Sequence, residues 1–220
     1  MSALIPLTVI AAFLVLAGAV AWWWLKLQDT NRLEALQALA ARRGWALTMN
    51  EAQLGRPGIL RMMPRGGMAW VVETRRTEAT PVQQSTEFLS EEPHFPQGTA
   101  IFGPALPADI DPATFGPLDT AQGRALAQKL LGTSLAGHAK YLALWPAPEA
   151  ISVWADSNPS PRLDLSDMAK LYAAYAQEQR QQPVIVLTRD GMRLHLPTAL
   201  HRADQIERFV DFALEAARIL

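Results

Sequence analysis

Residues 59–76 read ILRMMPRGGMAWVVETRR, and this stretch decides the fold class. Two short apolar runs, Ile59–Met63 and Met68–Arg76, flank the breaker Pro64-Arg65-Gly66-Gly67. Trp70, Val71 and Val72 favour a pleated, half-buried backbone. The Gly66-Gly67 pair offers the positive φ that a tight connection needs. The stretch predicts an antiparallel hairpin. Upstream, Trp45–Met49 is a further short apolar run; downstream, Gln84–Leu89 and Thr99–Phe102 add two more. Residues 45–103 therefore read as an antiparallel sheet of four or five strands.

Further along, seven of the 16 prolines fall between 81 and 117. With Gly103-Pro104, Pro107, Asp111-Pro112 and Gly116-Pro117 they mark residues 103–119 as an irregular connection. The second half is mixed. Thr120–Leu131 has helical spacing, Tyr141–Trp145 and Ile151–Ala155 read as strands, and Ser166–Gln179 is an amphipathic helix with Met168, Leu171, Tyr172 and Tyr175 on one face. Val184–Leu187 and Met192–Leu196 flank Arg189-Asp190-Gly191, a hairpin signal. Asp204-Gln205-Ile206-Glu207 has capping-box spacing ahead of the stripe Ile206, Phe209, Val210, Ala213, Leu214 and Ala217.

At the other end, Met1–Leu25 carries no charged side chain. About 20 apolar residues suffice to cross the hydrocarbon core as a helix. Trp22, Trp23, Trp24 and then Lys26 form an aromatic and basic belt suited to the headgroup layer. A cleaved signal peptide would need a basic leading region, and no Lys or Arg precedes residue 26, although Ala19-Val20-Ala21 has small-x-small form. After the span come Lys26, Arg32, Arg42 and Arg43, which by the positive-inside rule places the following domain in the cytoplasm. Asn31-Arg32-Leu33-Glu34 predicts a separate capped helix over 31–43, with Leu33, Leu36, Leu39 and Ala40 as its stripe and Gly44 as its stop.

Composition narrows the function classes. Twenty basic and 21 acidic side chains leave a net charge of -1, without the basic excess that nucleic-acid binding needs. No cysteine is present, which removes disulfides, thiolate catalysis and Cys-ligated metals. The four histidines, His94, His138, His195 and His201, make no zinc-ligand spacing. Asp156, Asn158, Ser160 and Asp167 resemble a calcium loop, but Pro161 occupies the place that needs a sharp glycine turn, so a strand-to-helix loop capped by Ser166 is the simpler reading. Asp109 and Asp111 have the pairing that acid–base work uses, yet in a Pro-rich loop they serve as turn formers. Trp45, Trp70, Trp145 and Trp154 sit in strand-like runs, as core residues do.

The expectation is a transmembrane anchor over 1–28 followed by a soluble α+β domain over 29–220, in one piece or in halves 29–103 and 120–220. No catalytic, cofactor or metal residue is assigned. Trp22, Trp23, Trp24 and Lys26 are the interface residues; Arg32, Arg42 and Arg43 are the candidate lipid or partner contacts. The partners are membrane lipids, reached through the N-terminal helix, and a protein in the same membrane, with no nucleic acid. The function expected is a non-enzymatic adaptor or accessory subunit of a larger membrane complex, or a small-ligand sensor; an enzyme using Asp109, Asp111, His138 or His195 is the alternative.

Overall fold

The computed structural model of the chain describes residues 4–50, 58–77, 83–96, 98–106, 142–157, 165–179 and 181–220. In chain order the elements are α1 (Leu4–Arg43), β1 (Trp45–Asn50), β2 (Gly58–Pro64), β3 (Trp70–Thr77), β4 (Gln83–Ser90), β5 (Ala100–Pro104), β6 (Ala143–Trp145), β7 (Ile151–Ala155), α2 (Leu165–Glu178), β8 (Val184–Thr188), β9 (Gly191–Leu196) and α3 (Ala203–Ile219). The architecture is α+β. All nine strands join one sheet in the order β1-β2-β3-β4-β9-β8-β5-β7-β6, each neighbouring pair antiparallel.

The quoted stretch forms β2 and β3, with Gly67 at φ +86 in the connection. The meander continues to β4 but not to β5. Ala100, Ile101 and Phe102 are 0–1% exposed. The buried backbone groups of this strand need hydrogen-bond partners at both edges, and β5 finds them in β8 and β7. The place beside β4 goes to β9. The C-terminal hairpin β8–β9 is thus inserted between β4 and β5. The predicted helix 120–131, and residues 107–119 of the Pro-rich connection, lie outside the described residues.

One face of the sheet is the core. Leu47, Met62, Val72, Phe88, Leu194, Ile185, Phe102, Val153 and Trp145 form a single row across all nine strands. Leu36, Leu39 and Ala40 of α1, Met168, Tyr172 and Tyr175 of α2, and Ile206, Phe209, Val210, Phe212, Ala213 and Ala216 of α3 pack against it. Trp45 meets Trp70 edge-on at 5.2 Å, and Trp70 stacks on Phe88 at 5.5 Å. The polar groups within this layer are satisfied. The buried Tyr172 hydroxyl lies 3.0 Å from both the Phe102 and Pro183 carbonyls. Thr86 Oγ1 donates to the Thr198 carbonyl and accepts from the Leu200 amide, with Thr74 Oγ1 at 3.1 Å.

Helix α1 corrects the expectation of two helices. It is one helix of 40 residues, about 60 Å long at 1.5 Å per residue. Neither Gly nor Pro lies between Lys26 and Asn31, and Thr30 returns its hydroxyl to the Lys26 carbonyl at 3.0 Å. Asn31 is therefore interior and caps nothing. The stop at Gly44, at φ +68, stands as expected. Among the described residues no helix is long and apolar enough to cross a membrane. The side chains of α1 are described from Leu16 onward, so the first fifteen residues of the apolar run lie outside them.

The second capping box also fails. Helix α3 begins at Ala203 with Arg202 as its N-cap and no side-chain cap bond. Asp204 instead pairs with Arg202 at 3.0 Å, and Glu207 is taken by two arginines of α1. Competition from a full guanidinium charge outweighs a reach back to one amide.

Candidate functional site

Two surfaces stand apart from the main core: the described outer part of α1 and the face of the sheet opposite the helices. From Leu16 to Thr30 every described side chain of α1 is exposed. Leu16, Val20, Trp22, Trp23 and Trp24 are 66%, 57%, 63%, 61% and 58% exposed, so the rest of the chain covers less than half of each. Lys26 Nζ lies 5.0 Å from the Trp22 ring, one turn away. Burial begins at Leu36.

The three candidate arginines sit where α1 meets α3. Arg32 donates from Nε to the His201 carbonyl at 2.9 Å, and its Nη2 lies 3.0 Å from His201 Nδ1. Arg42 bonds Glu207 at 2.7 Å. Arg43 bonds Glu207 at 2.7 Å and Asp211 at 2.6 Å, and stands 5.7 Å over the Trp45 ring. The hydrogen bond to Glu207, helped by the charge of Asp211, raises the Arg43 pKa further above its usual range. These side chains lock the end of α1 to α3. Arg42 remains two-thirds exposed, and of the pair it is the one more open to a headgroup or a partner.

The opposite face of the sheet carries two distinct rows. One is charged: Arg61, Glu73, Glu87 and His195 stand side by side on β2, β3, β4 and β9. Glu73 and Glu87 are direct cross-strand partners, a like-charge pairing that destabilises a sheet unless it is neutralised. Arg61 at 3.5 Å and Arg75 at 2.6 Å compensate Glu73. His195 Nδ1 lies 3.4 Å from Glu87, its nearest partner among the described residues. The His195 ring holds the Glu87 carboxyl below its ordinary value of 4.5, against partial burial that pushes it up; Arg193 and Arg75 add to the lowering.

The adjacent row is apolar except at one place: Val71, Leu89, Arg193, Val186, Ile101, Trp154 and Leu144 succeed one another from β3 to β6. At the β8-β5-β7-β6 end, Ile101, Trp154, Val184 and Val186 are buried with Leu142 in a second small core. At the β2-β3-β4-β9 end the face opens into a trough of about 510 Å³. Met63, Val71, Leu89 and Val186 line it together with Arg61 and Arg193, and Glu91 and Asp190 stand by the β8–β9 turn. Neither row was singled out in the sequence. The alternation of Arg193 and His195 with Met192 and Leu194 was legible, but the neighbours across the sheet were not.

The remaining candidates separate. His195 and His201 do not meet: one faces Glu87, the other Arg32. Asp156 accepts from the Thr99 amide at 2.9 Å, and Asp167 pairs with Lys170 at 2.6 Å, so these two would-be calcium ligands are otherwise engaged. Asn158 and Ser160, like Asp109, Asp111 and His138, lie outside the described residues. Trp45, Trp70 and Trp154 are buried, and Trp145 is partly buried with its Nε1 donating to the Ala155 carbonyl at 3.1 Å. No protein-family model, curated protein or solved structure matches the chain.

Proposed function

We propose that this chain is a single-span membrane protein whose globular domain acts as a non-enzymatic adaptor or accessory subunit of a larger membrane complex. The observation that carries the reading is the run of exposed side chains Leu16, Val20, Trp22, Trp23 and Trp24. Burying such a side chain is worth about 1.5–3 kcal/mol, so five together in water are a strong drive to aggregate. In a bilayer the same residues are satisfied: the aliphatic ones enter the hydrocarbon and the indoles take the headgroup layer, with Lys26 reaching the phosphates. The charge-free sequence from Met1 to Leu25 supports a span of sufficient length.

Lys26, Arg32, Arg42 and Arg43 follow the span and assign the domain to the cytoplasmic side. The lock between α1 and α3 supports a second point. An anchor rigidly joined to its domain holds that domain at a set height above the bilayer, as docking beside a membrane partner requires. Alkaline carbonate should leave the protein in the membrane pellet, and a reporter fused after Leu220 should be active in the cytoplasm. Release into the supernatant overturns the anchor; activity confined to the periplasm overturns the orientation. Replacing residues 4–25 with an unrelated span should preserve co-purification of the partner in mild detergent, because the domain makes the contact.

A further inference from the structure

Arg193 is the anomaly of the face opposite the helices. It stands mid-row between Leu89 of β4 and Val186 of β8, partly buried, in a lining otherwise apolar along that row. Arg61 and Arg75 spend their charge on Glu73, and Arg32, Arg42 and Arg43 are engaged by α3 and the segment before it. Arg193 has no such partner: among the described residues no carboxylate lies within ion-pairing distance of it. Glu87 in the adjacent row acts on it only through space, and a guanidinium half-sunk among aliphatic side chains recovers little of its lost hydration until an anion meets it. Leu or Val at this position would complete the row at no such cost.

We infer that the trough binds a small aliphatic monocarboxylate, its head on Arg193 and its chain lying over Leu89, Val71 and Met63. The guanidinium fork matches a carboxylate in two parallel hydrogen bonds. From β9 to β2 is three strand spacings, about 14 Å, which gives the apolar floor room for a medium-length chain. The charges around the floor set the selectivity. Arg193 repels a cationic head, and Glu91 and Asp190 by the β8–β9 turn leave room near the head for one negative charge only. The site does not depend on the membrane reading.

The test uses the full chain in lipid nanodiscs, titrated with octanoate by calorimetry against empty nanodiscs. Saturable binding is expected, with octylammonium weaker by about tenfold or more. R193Q should weaken octanoate by about tenfold or more, the loss of a charge-assisted contact. M63W, which fills the far end of the trough with Arg193 intact, should weaken it comparably. Absence of saturable binding at millimolar octanoate overturns the inference, as does equal binding of octylammonium or unchanged affinity in either variant.

Discussion

Reversing one charge at the junction of α1 and α3 is the sharpest probe of how the projecting helix is held. Arg43 bonds Glu207 at 2.7 Å and Asp211 at 2.6 Å and lies over Trp45 at 5.7 Å. The side chains are 37%, 22% and 46% exposed, so each ion pair belongs to the partly screened class, at about 0.5 kcal/mol. The cation–π contact adds about 0.5 kcal/mol. Arg43→Ala should therefore cost about 1.5 kcal/mol in all. Arg43→Glu sets a third carboxylate against two, and like-charge repulsion of similar size brings the cost to about 2–2.5 kcal/mol. For a domain of this size that is a fall in Tm of about 4–10 °C. The assay is thermal unfolding of the full chain in detergent, for Arg43→Glu alone and combined with Asp211→Lys, because Asp211 pairs with Arg43 whereas Glu207 also holds Arg42. The second substitution should recover at least half the loss, because it restores one opposite pair and removes one like pair. A Tm change within about 1 °C, or no recovery, would refute the view that these contacts fasten the helix. The expected cost exceeds the roughly 0.5 kcal/mol of an ordinary surface change, so any loss of a partner in an Arg42→Glu, Arg43→Glu double variant has to be judged beside its Tm.

Three other outcomes are expected. Tyr172→Phe removes the single buried hydroxyl hydrogen that the Phe102 and Pro183 carbonyls share and should lower stability by about 1–3 kcal/mol in urea unfolding; a neutral result would mean that another donor reaches them. The folded-state pKa of Glu87 is depressed below 4.5, so its contribution to stability is complete above that pH and is lost as pH falls through the folded value; Glu87→Gln should lessen the drop in urea midpoint between pH 5 and about pH 3, and an unaltered drop would show that the row does not stabilise the carboxylate. Residues 29–220 should melt cooperatively without the preceding segment, since burial in α1 begins at Leu36; a gradual melt would show that the domain leans on the membrane or on a partner.

Local chemistry made much of this protein legible from its sequence. Apolar runs of strand length, the Gly66-Gly67 and Asp190-Gly191 turns, the stripes of α2 and α3, and the Gly44 stop are all set by neighbours within a few residues, which is the range over which backbone preference and periodicity act. The α+β class and nearly every described strand follow from them. Tertiary structure decided what depends on distant partners. Asn31 and Asp204 have the spacing of caps, yet helix continuity removed the first and pairing with Arg202 occupied the second, while Glu207 went to arginines more than 160 positions away in sequence. Strand order was likewise invisible: β5 follows β4 in sequence, but β9 takes the place beside β4 and β5 pairs with β8 and β7. The trough around Arg193 exists only once β4, β9 and β8 lie side by side, because a cross-strand row is assembled from residues whose sequence positions carry no trace of their adjacency.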